Sequence, residues 1–460
     1  MLRDTEKGEL VGTRTRQGKG ENSEPTEGRP LNELICELRD VVTIAVQVIS
    51  QMNPVKFVTK QIEDNKSRVF CARFLNTPTV FIGCNKTIKH LLTDGADFTE
   101  LGYKQFMGEI FGDNILFTDG EMAGAFRASL SELFCHDSLT SYQTTISRIV
   151  QDRVLELGCL CEVPLYSFMK SLCTEICLSL FLGMDFRDAE DTADRIVNLT
   201  TTHWHGIISV PVSIKLPIGG GSSFCRALEA KNHLLNIIKQ KKLENSSHFP
   251  DRIQQCSHGD QEKFVDNHLL LFTSALVPKA LSSILTSLLI QIGSQQTEDQ
   301  AGMSEDEEQL EAMLLEVQRM FPPFLGGRRV AREDFTLNGY HIPKGHALVY
   351  MSYHGHRDPS IFPDPDQFDP SRWNNVNVED KGRLFCFGAG PRGCVGQKLV
   401  GNILKTVVQE LLQKYSITVN ENQDLSHKWL PVSRPKAEVK VKLRKRIPGL
   451  RFTKELTRKS

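Results

Sequence analysis

The stretch Phe387-Gly-Ala-Gly-Pro-Arg-Gly-Cys394-Val-Gly396 sets a single cysteine among glycines, directly before an apolar, helix-patterned run that ends at Lys414. Glycine lets a backbone turn tightly and lets a neighbour approach closely. Backbone N–H groups gathered at a helix N-terminus favour negative charge, so the loop predicts a Cys394 thiol of lowered pKa and thiolate character. Small residues around the sulfur leave room for a flat cofactor. A chance glycine-rich loop holding a structural cysteine has no need of this order of Phe, Gly, Arg, Cys and Gly.

The bulk of the chain agrees with a large folded domain. It has 460 residues, 40% of them hydrophobic, and a net charge of −1, which supplies no field for recruiting nucleic acid. Its twelve cysteines are irregularly spaced and too sparse for a disulfide framework. They read as reduced thiols, and Cys159, Cys161, Cys173 and Cys177 as core side chains rather than zinc ligands. The apolar run Val41 to Ile49 is far short of the roughly 20 residues a bilayer requires, so an amphipathic helix is expected there and no membrane-spanning segment. Residues 1–30 are polar, acidic and without an apolar signal core, and are read as a disordered tail. Residues 447–460 form a basic tail after the domain at 31–446. The Lys and Arg residues from Lys436 onward are read as a solvated strand edge, with contact to an anionic membrane as the alternative.

Along the domain, Asn53–Asn65 predicts a helix, and Arg68–Phe74 with Thr77–Ile82 predicts two short strands. Helix patterns then run from Lys86 to Leu289, broken at Asp119-Gly120 and at Pro217-Ile-Gly-Gly-Gly-Ser222. Alternating strand patterns occupy Arg329 to Tyr350, with turns at Asn338-Gly339 and Pro343-Lys-Gly345. The fold class is therefore mostly α with a smaller β-rich part.

Phe387 to Gly396 matches the haem-binding signature of the cytochrome P450 superfamily at every specified position, and two further motifs follow that family's order. Glu316-Val-Gln-Arg319 resembles its Glu-x-x-Arg helix, and Phe368-Asp-Pro-Ser-Arg372-Trp373 resembles its Phe-x-Pro-x-Arg-aromatic loop. The resemblance covers roughly Asn53 to Lys442. It implies the cytochrome P450 fold, with heme b (iron protoporphyrin IX) between a long central helix and the cysteine loop, and Cys394 as axial ligand of the iron. Phe387 and Gly388 would belong to the cofactor site. Glu316, Arg319 and Arg372 would form a charged triad. Arg392, Arg329 and Arg127 match positions that bind haem propionates, although the tryptophan that should precede Arg127 is Ala123. Gly326-Gly327 and Gly339-Tyr-His-Ile-Pro-Lys-Gly345 look most like the branch that includes retinoic acid hydroxylases and sterol-acting enzymes.

Partners follow from the same resemblance: a hydrophobic small-molecule substrate, an NADPH-dependent reductase and a monomeric chain. The resemblance implies association with the endoplasmic reticulum membrane, where eukaryotic members of the family are usually tethered by an N-terminal helix. This chain shows no such anchor, so peripheral contact through residues 41–49 and a cytoplasmic location are both open. Substrate contacts are expected in Thr99–Leu116, Val197–Ser223, Leu269–Val277, Pro322–Gly327 and around Trp429–Val432.

Two departures bear on activity. The central helix, expected over Phe264–Ile292, should carry an acid and a threonine that pass protons, but those positions hold Leu276 and Val277. Thr273 and Ser274 are the candidate displaced hydroxyls, and Pro278 predicts a kink. A polar, acidic linker from Ser294 replaces the helix that precedes Glu-x-x-Arg in the family and that helps form the electron-donor face. His203 and His205 are read as loop residues, and His341 and His346 as surface residues. The chain thus reads as a monooxygenase of a lipid-like substrate, with two alternatives: a haem-thiolate isomerase or dehydratase of lipid hydroperoxides, which needs no electron donor, or a non-catalytic haem protein.

Overall fold

The computed structural model describes residues 53–74, 77–159, 162–186, 190–209, 221–244, 248–256, 262–294, 300–374 and 381–446. All lie in the second of two units, Met52–Ser460. The expected polar tail, the amphipathic helix at 41–49, residues 217–220 of the glycine run and the basic tail at 447–460 fall outside them.

Helix α1 (Pro54–Asn65) starts as its sequence dictates, with Pro54 at the first helical position and the Asn53 side chain accepting from the N–H groups of Val55 and Lys56. Strands β1 (Val69–Phe74) and β2 (Thr77–Ile82) follow as an antiparallel pair. The chain continues through α2 (Asn85–Leu92), β3 (Thr99–Leu101), α3 (Lys104–Phe111), α4 (Glu121–Glu132) and α5 (His136–Glu156). Next come β4 (Val163–Pro164), α6 (Leu165–Leu182), α7 (Glu190–His205), α8 (Ser223–Leu243) and α9 (His248–Cys256). The central helix α10 spans Glu262–Ser294. After α11 (Gln300–Glu305) and α12 (Glu307–Met320) stand β5 (Gly326–Ala331), β6 (Phe335–Leu337), β7 (Tyr340–Ile342), β8 (Ala347–Met351) and the single turn α13 (Ser352–Gly355). Helix α14 (Gln397–Lys414) and strands β9 (Tyr415–Val419), β10 (His427–Lys428), β11 (Arg434–Pro435) and β12 (Lys440–Lys445) end the described chain.

The fold is mostly helical, with a five-stranded sheet in the order β1-β2-β8-β5-β3 and three smaller sheets. Only β2 and β8 run parallel in the large sheet. Helix α14 buries Leu399, Ile403, Leu404, Val407, Val408, Leu411 and Leu412, a spacing of three and four that puts one face in the core. Helix α10 is apolar all round and mostly buried, as a central helix must be. By length and composition α6 and α10 are long and apolar enough to cross a membrane, but both are mainly buried within the protein, as core helices are. Cys173 and Cys177 are core side chains of α6.

Two expectations need correction, and the central helix shows a further irregularity. The basic strand β12 is the middle strand of the sheet β4-β12-β9 rather than an edge: Val441 is buried and Leu443 half-buried, while Lys440, Lys442 and Arg444 stand in solvent. The stretch before Glu-x-x-Arg is not all linker, since α11 occupies Gln300–Glu305. The Gln300 side chain pairs with both the N–H and the carbonyl of Ile417 at 2.8 and 2.9 Å. Helix α10 departs from α-geometry upstream of Pro278, in a π turn at Leu271–Ala275 where the Leu276 N–H reaches back to Leu271 O. Pro278 has no N–H for Ser274 O, and the Thr273 and Ser274 hydroxyls donate to Leu269 O and Leu270 O at 2.7 and 2.8 Å, so the regular ladder is weakened there from both sides.

Lys279, one residue beyond that proline, is fully buried, with its ammonium 3.4 Å from the Thr200 hydroxyl. Burial, reinforced by Lys170, lowers its pKa from 10.5 to about 7, against the opposing pull of Cys173 and Cys177. Folding therefore disfavours the ammonium. The destabilisation is complete below about pH 7 and is relieved as pH rises to 10.5, at about 1.4 kcal/mol per pH unit. Lys279→Met is expected to raise the melting temperature, with a clearly larger gain at neutral than at strongly alkaline pH; equal gains would contradict the buried-charge account.

Candidate functional site

Cys394 leaves a hairpin-like loop in which its N–H donates to Phe387 O at 2.7 Å and the Gly388 N–H donates to Phe385 O at 3.0 Å. Gly388 and Gly390 hold φ of +68° and +62°, and a Cβ on Gly390 would lie 2.1 Å from Leu92 O, so the loop seats against the end of α2 only with glycine. The Cys394 sulfur is enclosed by protein on most sides yet remains accessible, as a side chain facing an internal slot does. The expected lowering of the thiol pKa is not what the structure gives. Burial pushes it up, outweighing the Gly396 N–H and the Arg127 guanidinium that pull it down. A buried sulfur of this kind becomes a thiolate when a cation bonds it.

Arginines gather beside the loop. Arg127 on α4 donates to Gly393 O. Arg392 donates to Thr118 O at 2.9 Å and is ion-paired with Asp119. Arg329 on β5 is buried, with its guanidinium on the Tyr350 ring and one bond to Arg328 O. Together with Asp119 they border a cavity of about 210 Å³. Burial and then the nearby Arg392 and Arg329 charges push the Arg127 pKa down. Among the described residues no carboxylate pairs with Arg127 or Arg329, so the one carboxylate at the cavity, Asp119 on Arg392, leaves two guanidinium groups without a counter-charge. An accessible sulfur beside guanidinium groups without counter-charges fits a haem carrying two carboxylates.

Behind the loop, Glu316 and Arg319 are fully buried on α12. Glu316 accepts two bonds from Arg319 at 2.8 and 2.9 Å, one from the Trp373 indole at 2.9 Å and one from the Asp369 N–H at 2.8 Å. Arg372 approaches it to 3.4 Å while also donating to Pro363 O and Asp364 O. Arg319 donates further to the carbonyls of His356, Pro365 and Gln367.

All five stretches expected to touch substrate meet in one apolar cluster. Ile110, Phe111, Trp204, Leu271, Ala275 and Val432 are buried in it, with Phe324 and Leu276 packed against them. The sequence reading stopped short of Phe224 and Ala227 on α8, which also belong. It also misplaced His203, which is not a loop residue. It lies on α7, fully buried, with Nδ1 2.9 Å from Ser274 Oγ and Nε2 2.9 Å from Ile110 O. Burial lowers its pKa to about 4, leaving a neutral ring. Nε2 must then carry the proton facing the Ile110 carbonyl, and Nδ1 faces the Ser274 oxygen as an acceptor that competes with Leu270 O for its one proton. The Ser274 hydroxyl thus has two acceptors in reach, His203 Nδ1 and Leu270 O. Thr273 bonds only Leu269 O among the described contacts.

The chain matches the family model described as Cytochrome P450 over residues 290–443. Its sequence is 25% identical over 402 residues to a putative cytochrome P450 120 of Synechocystis sp., covering 82% of this chain and 89% of the relative. It is 24% identical over 415 residues to cytochrome P450 26B1 of Xenopus tropicalis, covering 81% and 80%. A retinoic-acid-bound cyanobacterial CYP120A1 superposes with a TM-score of 0.74 at 23% identity, covering 87% of this chain and 96% of that one. The structural likeness is one of fold.

Glu316→Gln leaves Arg319 as a buried cation without its counter-charge, at a cost of about 3–5 kcal/mol. A large drop in urea midpoint is expected, whereas Glu307→Gln, at the exposed ion pair with Lys405, should cost under about 1 kcal/mol. Equal midpoints for the two variants would show that the buried pair is not what holds this region.

Proposed function

Since the chain belongs to the cytochrome P450 superfamily, a family of haem-thiolate monooxygenases, we propose that Cys394 is its iron ligand and that it inserts one oxygen atom into a hydrophobic, lipid-like substrate of sterol, retinoid, fatty-acid or terpenoid type. The observation that carries this is the accessible Cys394 sulfur in its glycine loop, with Arg127, whose charge reaches it, lining one cavity with Arg329 and Arg392. When bound, a thiolate-ligated haem supplies cleavage of the O–O bond.

The chain's residues do the rest. Phe387, Gly388 and Gly390 shape the loop so that no side chain blocks the sulfur, and the arginines neutralise the propionates. The apolar cluster around Phe111, Trp204, Leu271 and Phe324 takes the substrate by removing its surface from water. At the π turn, Ser274 is the better placed of the two hydroxyls to hold a proton, because His203 stands behind it as a second acceptor. Overall, substrate C–H, O2, two electrons and two protons give the alcohol and water, with the electrons supplied by a reductase that draws on NADPH. The retinoid and terpenoid relatives support the substrate class: one solved neighbour is described as retinoic-acid-bound, and another relative is an ent-kaurenoic acid oxidase of Arabidopsis thaliana, 24% identical over 80% of this chain.

Isomerisation or dehydration of a lipid hydroperoxide is favoured by one observation. Leu276 and Val277, at the acid and threonine positions, are packed into apolar clusters and pass no proton. Such a substrate brings its own O–O bond.

The reduced, CO-treated wild-type protein is expected to show the red-shifted Soret band of a thiolate-ligated haem. Cys394→Ala should lose that band, and a variant that kept it would remove the central assignment. With substrate, turnover that needs both NADPH and reductase supports the monooxygenase. Turnover of a fatty-acid hydroperoxide with neither present would replace it by the isomerase. Ser274→Ala should lower product formed per NADPH consumed about tenfold or more while leaving the Soret band in place; unchanged coupling would take Ser274 out of proton handling.

A further inference from the structure

The apolar cluster contains one donor with no partner. Trp204 is 4% exposed and packs between Phe111 and Phe324, with ring centroids 6.2 Å away on each side, and its Nε1–H meets no acceptor among the described residues. Buried indole N–H groups normally find a partner, because leaving one unpaired forfeits its bond to water. Trp373 illustrates the rule, donating to Glu316.

Around the cluster the Ser433 hydroxyl and the Nε and one Nη of Arg328 are also unpaired, but Trp204 is the unpaired donor within the cluster itself. His203, next to Trp204 on α7, is closed between Ser274 and Ile110 O. The two cations whose fields reach His203 are engaged elsewhere, Lys231 on Glu109 O and Lys279 on the Thr200 hydroxyl. We propose that Trp204 is a specificity-determining residue whose Nε1–H binds a neutral carbonyl oxygen on an otherwise apolar substrate. This inference rests on the reading that the cluster is the substrate site. A carboxylate is the poorer match, because a single neutral donor does not offset the desolvation of a charge. A pure hydrocarbon leaves the N–H unpaired.

The test uses haem-loaded protein with 15N-labelled tryptophan, in the diamagnetic reduced CO form. The probes are progesterone, 5α-pregnane (which has the same carbon skeleton without oxygen) and all-trans-retinoic acid. Trp204→Phe identifies the Trp204 indole resonance among the three tryptophans of the chain. Progesterone is expected to move that resonance downfield and to bind about tenfold tighter than pregnane, and Trp204→Phe should erase the preference, so that the two ligands bind the variant equally.

Equal or absent binding of progesterone and pregnane by the wild-type protein overturns the proposal. So does a ketone preference that survives in Trp204→Phe, or an indole signal that stays still while progesterone binds. Tighter binding of retinoic acid than of progesterone, lost in Trp204→Phe, would replace the neutral carbonyl by a carboxylate. Each outcome is read on protein that retains the thiolate Soret band. Failure of the cysteine assignment would appear in that band; failure of this inference appears only in the ligand response.

Discussion

The buried ion pair of Glu316 and Arg319 is the constraint from which the haem side of this protein is built. Two charges inside a protein are tolerated only when their mutual attraction and their remaining hydrogen-bonding capacity are both met. Here the carboxylate receives the arginine, an indole and a backbone N–H, and the guanidinium spends its other protons on three carbonyls. Those carbonyls belong to His356, Pro365 and Gln367, residues of irregular chain that no ladder would otherwise hold. The link continues outward: the His356 ring accepts the Phe385 N–H at 2.8 Å, and Phe385 O accepts from Gly388. A helix-borne charge pair thereby reaches the loop of Cys394 through a short series of directional bonds. The His356 part of that series requires a neutral ring, and burial supplies it by lowering the pKa to about 3.

What the sequence made legible was whatever local chemistry demands by itself. Glycines at 388 and 390 are read correctly because a left-handed φ or a 2.1 Å approach excludes other residues. The hairpin of β1 and β2, the helix start at Pro54 and the turns around β6 and β7 are of the same kind. Features that depend on distant partners were hidden. His203 looks like a loop residue beside Trp204 until α7 brings it to Ser274, 71 positions away. The Cys394 thiol was read from its helix N-terminus alone, and burial, which has no local signature, reversed the direction of its pKa. Lys279 likewise gives no hint in its neighbours that three helices will enclose it.

The same division separates the two faces of the candidate site. On the cysteine side, motif and geometry agree: Phe387, Gly388 and Cys394 bond within the loop and its approach, while Gly390 and Arg392 meet partners far along the chain, at Leu92 and at Thr118 and Asp119. On the opposite side the motif is absent, but the helix still departs from regular α-geometry where one would look for it. Pro278 and two back-bonding hydroxyls produce a π turn at Leu271–Ala275, as any sequence that withdraws an N–H and offers competing donors tends to do. The irregular turn therefore does not need the acid and threonine that usually accompany it.

That separation bears on how the chemistry and the shape of the site are linked. Leu276 and Val277 enlarge the apolar wall where a proton donor would stand, so the wall gains hydrophobic area at the expense of polar function. The polar capacity that remains is concentrated on one turn of α7: His203 faces the helix and closes on Ser274, and Trp204 faces the cluster and stays open. Adjacent residues on a helix point about 100° apart, which lets one turn serve two clients. A single displacement of α7 would shift the hydroxyl's second acceptor and the free indole donor together. On the proposed roles of Ser274 and Trp204, proton handling and substrate selection would be coupled through the seating of one helix, where an acid on α10 would have kept them apart.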